Sequence, residues 1–337
     1  DPNVPSEPNA GEDIIGKVGV HETEMRALAL GQGFSSEFPP GVVTDAGQLE
    51  KNDATILAEE AAIRVAKGGP RADFRKVSTC TIDPFDAKDF DDALSVRKLD
   101  DGMIEVGVHI ADVSFFVKPG TSLDTEAIAR ATSVYLVDRT IPMLPEVLSN
   151  NLCSLKPDED RLAVSAVFTL DQDANIKDTW FGETVIHSDK RFTYENAQEV
   201  LDAGTGVMHE ELSLLLDLSK KIRVRRQAKG AIEFDTAEVK VELNAEGKPI
   251  AIRLKERKAT NLLIEDFMLL ANEAVAKHLS KLTKNGGPHF YSLYRIHDAP
   301  DTDRIENLAN LLRIMGYHLK TSGAGNVTGA ELNKLLE

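Results

Sequence analysis

Thr81-Ile82-Asp83-Pro84-Phe85-Asp86-Ala87-Lys88-Asp89-Phe90-Asp91-Asp92-Ala93-Leu94 is the stretch around which the chain organises. It sets five Asp within ten residues, between the β-prone run Val77–Ile82 and a second apolar run over Ala93–Arg97. Pro84 and the Asp cluster favour a loop or irregular turn over 84–90. Such crowding is costly: two carboxylates about 4 Å apart repel by roughly 4 kcal/mol at an effective dielectric of ~20. Either the acids splay into solvent or a cation holds them together. Phe85, Phe90, Ala93 and Leu94 interleave apolar anchors with the acids, which a merely solvated turn does not need.

Outward from this loop the pattern is one of strands. Asp100-Asp101-Gly102 signals a turn, and Ile104, Val106, Val108 and Ile110 alternate behind it, which predicts a hairpin. Further strands are expected at 161–170, 178–187, 231–235, 238–243, 250–254 and Phe290–Tyr294. Helical spacing marks 22–32, 47–67 (ended by Gly68-Gly69-Pro70), 209–229, 260–283 and 301–315. The fold class is therefore α+β, a mixed and mostly antiparallel sheet flanked by helices. Residues 1–16 read as a linker, with three Pro among the first twelve residues. Residues 17–75 read as a helical lead-in, and 76–337 as the main domain.

Composition narrows the function classes. Across 337 residues, 39 Lys+Arg stand against 55 Asp+Glu, a net charge of −16 that argues against a generally basic nucleic-acid coat. No apolar run approaches ~18 residues, so no membrane span is expected. The two Cys, Cys80 and Cys153, build neither a disulfide framework nor a Cys-based zinc site, consistent with a reducing, cytoplasmic compartment. A calcium EF-hand fails at the loop: counted from Asp89, Leu94 stands where Gly is required and Asp100 where Glu is. A phosphatase-type nucleophile at Asp89-Phe90-Asp91 lacks the apolar strand before it. Hard oxygen donors at this density suit Mg²⁺ or Mn²⁺. In an extended run Asp89 and Asp91 would share a face and Asp92 would point away, so convergence of the acids requires a backbone bend.

At this loop the sequence resembles the ribonuclease II / ribonuclease R family of 3′-to-5′ exoribonucleases, closer to ribonuclease R in the wording of Thr81–Ser95. Further matches follow in order at Val108–Val113, Ser133-Val134-Tyr135, Ile141–Leu155, Gly230–Phe234 and Leu263–Met268. The resemblance implies an RNB-type catalytic domain that hydrolyses RNA to nucleoside 5′-monophosphates with Mg²⁺. It implies catalytic, metal-holding roles for Asp83, Asp89, Asp91 and Asp92, with Asp91 the most critical. Tyr135 matches an aromatic that stacks on the 3′-terminal nucleotide, Tyr194 a second nucleotide-contacting Tyr, and Glu265 an acid at the ribose. Asp86 is not among the four.

The run Lys220–Lys229 carries six positive charges in ten residues and is either a solvated helix face or an RNA-backbone stripe, with Lys221, Arg225 and Arg226 as its RNA-binding candidates. His109 and Met143 read as packing residues. Family members carry upstream cold-shock-type and downstream S1-type barrels, and a later Ser-Pro-Ile-Arg-Arg-type segment, that this sequence does not contain. The RNB domain is thus expected to be incomplete at its C-terminal side and the polypeptide alone weakly active or inactive. The expected partner is the 3′ end of single-stranded RNA, and nothing demands more than a monomer. An RNA-binding scaffold without catalysis and a small-molecule phosphatase are the alternatives.

Overall fold

The computed structural model describes residues 16–52, 71–232, 238–244, 247–254, 256–284, 296, 300–320 and 327–336. The expected linker except residue 16, most of the expected helix at 47–67 with its stop at Gly68–Pro70, the strand at Phe290–Tyr294 and most of that at 231–235 lie outside them. The lead-in carries α1 (His21–Gly31) and α2 (residues 40–52). Strands β1 (Ala72–Asp73), β2 (Thr79–Asp83), β3 (Asp92–Lys98) and β4 (Ile104–Ala111) follow. After them come α3 (Val113–Phe116), α4 (Ser122–Arg130), the short hairpin β5 (Val134–Tyr135) and β6 (Thr140–Ile141), and a π-turn at Leu148–Leu152. Long strands β7 (Asp160–Leu170) and β8 (Ile176–His187) then precede β9 (Lys190–Thr193), α5 (Tyr194–Ala203) and α6 (His209–Ala228). The hairpin β10 (Val239–Leu243) and β11 (Pro249–Leu254), then α7 (Ala259–Lys284), α8 (Thr302–Ile314) and α9 (Gly329–Leu336) complete the order.

Seven strands form one sheet in the order β1-β8-β7-β4-β3-β2-β9. The four inner pairings are antiparallel, whereas β1 on β8 and β9 on β2 are parallel. The expected mixed, mostly antiparallel α+β fold is therefore what the chain adopts. Alternation sorts the side chains between two cores. Ile104, Val106, Val108, Phe168 and Leu170 face one side with Leu94 and Val96, and are covered by Leu212, Leu215, Leu218, Leu263 and Phe267 of α6 and α7. Ala93, Ala111, Ala163 and Val167 face the other, under Val42, Phe116, Leu148, Leu152 and Leu155. Because both faces are covered, β2 is buried at every position.

His109 is a satisfied core residue, as expected. Its ring nitrogens bond Ser165 Oγ at 2.6 Å and Ser95 Oγ at 2.8 Å, and it is fully buried. A side chain on Gly107 would lie 2.5 Å from both His109 and Ser95, so the glycine is the space in which that ring sits. Helices α4 and α5, and the edge strands β1 and β9, were not evident from hydrophobic spacing. Each is short, and β1 and β9 pair with strands distant in the chain. Among the described residues no helix is long and apolar enough to cross a membrane. Cys80 and Cys153 are both buried.

Candidate active site

The register brings the acidic loop to one end of the sheet. β2 ends at Asp83 and β9 ends beside it, Asp83 opposite Thr193. β3 starts at Asp92, opposite Ile110 near the end of β4. The loop between Asp83 and Asp92 thus crosses the end of three adjacent strands, with Ala111 N donating to Asp91 O at 2.9 Å. Residues 84–91 are irregular, as Pro84 and the Asp crowding predict. Phe85 corrects one expectation: it is 79% exposed and anchors nothing, while Phe90 packs on the core. Asp86 is likewise outside the cluster, 3.5 Å from Lys240 Nζ.

The carboxyls that remain are held under electrostatic load. Burial, then the charge of Asp92, pushes Asp83 up to about 7, and Thr81 and Arg191 offset only part of this. Burial, then Asp91, raises Asp92 to about 6. Asp91 is raised by burial and by Asp89. Asp83 Oδ2 is buried without a hydrogen-bond partner among the described residues. An orphaned buried oxygen among mutually repelling carboxyls is a donor set suited to a hard cation. Among the described residues, no three His, Cys, Asp or Glu stand in an arrangement that could hold a metal ion. The donor chemistry therefore fits the ion while the donors have not closed on a common point.

Both candidate tyrosines reach this cluster. Thr193 caps α5 by accepting from Asn196 N at 3.0 Å, which places Tyr194 as the first helical residue directly beyond Asp83. Burial, then Asp83 and Asp92, raises the Tyr194 hydroxyl to about 12. Tyr135, 70% exposed, is raised by burial and then by Asp89 and Asp91. Its hairpin is tied to α1 by His21 Nε2 and Asp138 Oδ2 at 2.8 Å, and by Arg139 to Glu22 at 2.7 Å. The aromatic face of Tyr135 is thus open to solvent and is not part of the core.

The other candidates lie elsewhere. Glu265 on α7 pairs with Arg257 and lines a separate cleft of about 200 Å³ with Arg223, Arg226 and Asp266. The basic run is largely committed to internal bonds. Lys221 Nζ donates to Gln172 O and Asp217 Oδ2, at 2.7 and 2.6 Å, and Arg225 to Asp173 O at 2.8 Å. Arg226 and Arg223 both bond the buried Asp266 at 2.7 Å. The bonds to Asp266 join α6 to α7, whereas those to Gln172 and Asp173 fall at the β7–β8 turn, the end of the sheet opposite the acidic loop. At ~3.3 Å per residue along β4, the two ends are roughly 20 Å apart. Two residues at the loop escaped sequence reasoning: Arg191, whose Nη2 donates to Pro84 O at 2.7 Å and Phe85 O at 3.0 Å, and Ser154. Ser154 lay in a recognised motif but carried no chemical signal of its own.

Residues 71–337 match the RNB domain family. The chain belongs to that family, the ribonuclease II/R group. It is 40% identical over 317 residues to ribonuclease R 2 of Lactococcus lactis, covering 91% of this chain and 45% of that protein. It is 39% identical over 326 residues to DIS3-like exonuclease 2 of Schizosaccharomyces pombe, covering 92% and 34% respectively. Mycoplasma genitalium RNase R, solved in complex with ribose methylated single-stranded RNA, superimposes with a TM-score of 0.83 at 26% identity, covering 96% of this chain and 48% of that one. The chain thus spans about a third to a half of the length of these RNB relatives.

Proposed function

We propose that this RNB chain carries the acidic centre of a hydrolytic 3′-to-5′ exoribonuclease that releases nucleoside 5′-monophosphates. The observation that carries this reading is the cluster itself: Asp83, Asp91 and Asp92 are partly desolvated and mutually repelling, with two tyrosines within electrostatic reach. A structural ion-pair network would supply cations to such acids, and among the described residues Arg191 is the one cation that lowers Asp83. Asp83, Asp89, Asp91 and Asp92 would hold Mg²⁺, with Mn²⁺ as a substitute. When bound, the ion supplies charge stabilisation to the scissile phosphate and acidifies water at neutral pH.

The chain's own residues do the rest. Tyr135 stacks on the terminal base and tolerates any sequence, because every base offers a π-face. Tyr194, still protonated at neutral pH, is available to donate to a phosphate or ribose oxygen at the cluster. Glu265 reads a 2′-OH only after its carboxylate leaves Arg257. Arg223 and Arg226 share the Asp266 carboxylate, which leaves one guanidinium charge of that pair in excess for RNA-backbone contact, with Lys221 and Arg225 on the same helix.

The test uses the intact protein and Asp91→Asn on a 5′-labelled single-stranded RNA with Mg²⁺, with DNA of the same sequence as control. Stepwise shortening from the 3′ end, of RNA alone and only with Asp91 present, is the expected result. RNA that is retained by the wild type but never shortened replaces this reading with the scaffold. Turnover of a generic phosphomonoester instead replaces it with the phosphatase.

A further inference from the structure

Asp89 and Asp91 flank Phe90, and both peptide groups of Phe90 are held by one neighbouring segment. Its N–H donates to Ser154 Oγ at 2.9 Å, and its C=O accepts from Leu155 N at 2.8 Å. The same hydroxyl lies 3.4 Å from Lys88 O, to which it donates. One oxygen thus accepts from the residue after Asp89 and donates to the residue before it. Because peptide units are planar, these contacts fix the backbone on both sides of Asp89 and leave its side chain free to swing.

Ser154 is itself placed with care. It is fully buried, and its carbonyl accepts from Arg161 Nε at 3.0 Å. Arg161, 4% exposed, also donates to Asp160 O at 3.2 Å. The segment leaves the π-turn at Leu148–Leu152, whose two leucines are in the core with Leu155. A rigid wall therefore stands behind a loop whose like charges push it open. Without a bend at Lys88–Asp91, successive residues would alternate faces and the acids could not converge.

We propose that Ser154 is a positioning residue: its hydroxyl holds the Lys88–Asp91 bend from which Asp89 and Asp91 reach a shared divalent cation. This rests on the metal-nuclease reading above. The test compares the intact wild type with Ser154→Ala and Ser154→Cys. Ser188→Ala serves as comparator, since Ser188 is also buried but its hydroxyl has no hydrogen-bond partner among the described residues. Two readouts are taken without turnover: amide exchange at Phe90 in metal-free protein, and Mn²⁺ affinity by electron paramagnetic resonance. Ser154→Ala should speed Phe90 exchange at least about tenfold, beyond any change shared with the rest of the sheet, and weaken Mn²⁺ binding about 10- to 100-fold, the usual cost of losing a residue behind a ligand. Ser154→Cys keeps the volume with a weak donor and acceptor, and should show a smaller loss in both, which decides the matter if the Ala variant folds poorly. Ser188→Ala should match the wild type. Wild-type Mn²⁺ affinity, or unchanged Phe90 exchange, in both Ser154 variants overturns the positioning role alone. A wild type that takes up no Mn²⁺ overturns the nuclease reading and this role with it.

Discussion

Asp266→Ala should destabilise the protein by about 2–4 kcal/mol, and the structure shows why. Asp266 is 1% exposed. Its Oδ2 accepts from Ser219 Oγ at 2.8 Å and from Arg223 Nε and Nη2 at 3.1 and 2.7 Å, and its Oδ1 from Arg226 Nη1 at 2.7 Å. Removing one partner of a buried ion pair typically costs about 3–5 kcal/mol, because the other charge is left unpaired. Here the Arg223 and Arg226 side chains keep 19% and 29% of their surface, so water screens part of that penalty. Asp266→Asn keeps the volume and one acceptor, and should cost only about 1–2 kcal/mol. Urea denaturation at pH 7 measures both. Arg226→Met in the Asp266→Ala background should recover part of the loss, since it removes a stranded charge. A loss under about 1 kcal/mol for Asp266→Ala, or strict additivity in the double variant, would mean that α6 and α7 are joined by their leucines alone.

Three further outcomes are expected. His109, lowered to about 3 by burial, stays neutral in the fold but protonates near 6.5 once unfolded. Stability should therefore fall as pH drops from about 6.5 toward 3, by at most about 5 kcal/mol from this group; a His109→Gln variant with the same acid limb in a pH–stability profile would exclude it as the cause. Asp83, raised to about 7 from an unfolded value of 3.8, works in the opposite sense, because the fold binds its proton more tightly than the unfolded chain does. Metal-free protein should thus lose stability between about pH 4 and 7, and Asp83→Asn should raise its melting temperature at pH 8; an unchanged or lower melting temperature refutes the electrostatic load. Tyr135→Ala should weaken single-stranded RNA end binding by about 1–3 kcal/mol in Ca²⁺ buffer, with Tyr135→Phe near wild type, and equal losses in the two would assign the effect to the hydroxyl instead of the ring.

What the sequence showed of this fold follows the range of the forces involved. The β3–β4 hairpin was legible because alternation and the Asp100–Gly102 turn act over a few residues. The leucine spacing of α6 and the apolar stripe of α7 were legible for the same reason. β1 and β9 were not, since their partners β8 and β2 stand about 110 residues away and a strand of two or four residues carries too little pattern. At the site, the acids announced themselves through crowding, whereas Ser154 and Arg191 each act through two bonds to backbone carbonyls or amides. Such bonds place no demand on the composition around them. The basic run shows the converse: six charges in ten residues look like a surface, yet a single acid 40 residues away, Asp266, draws Arg226 inward.

The arrangement of the sheet makes the acidic loop expensive and also makes it usable. Leu94, Val96, Cys80 and Ile82 commit β2 and β3 to a core from which neither strand can retreat, so Asp83 and Asp92 are fixed at its rim. The loop between them could relieve its repulsion only by straightening, and Ser154, Leu155, Ala111 and Arg191 each hold a different backbone group against that movement. The free energy spent on desolvating these carboxyls is drawn from strands that bury both faces. A centre of this kind is stable only where the surrounding sheet exceeds its own needs, which explains why the most strained acids sit where three of the inner and edge strands meet rather than on an exposed loop tip.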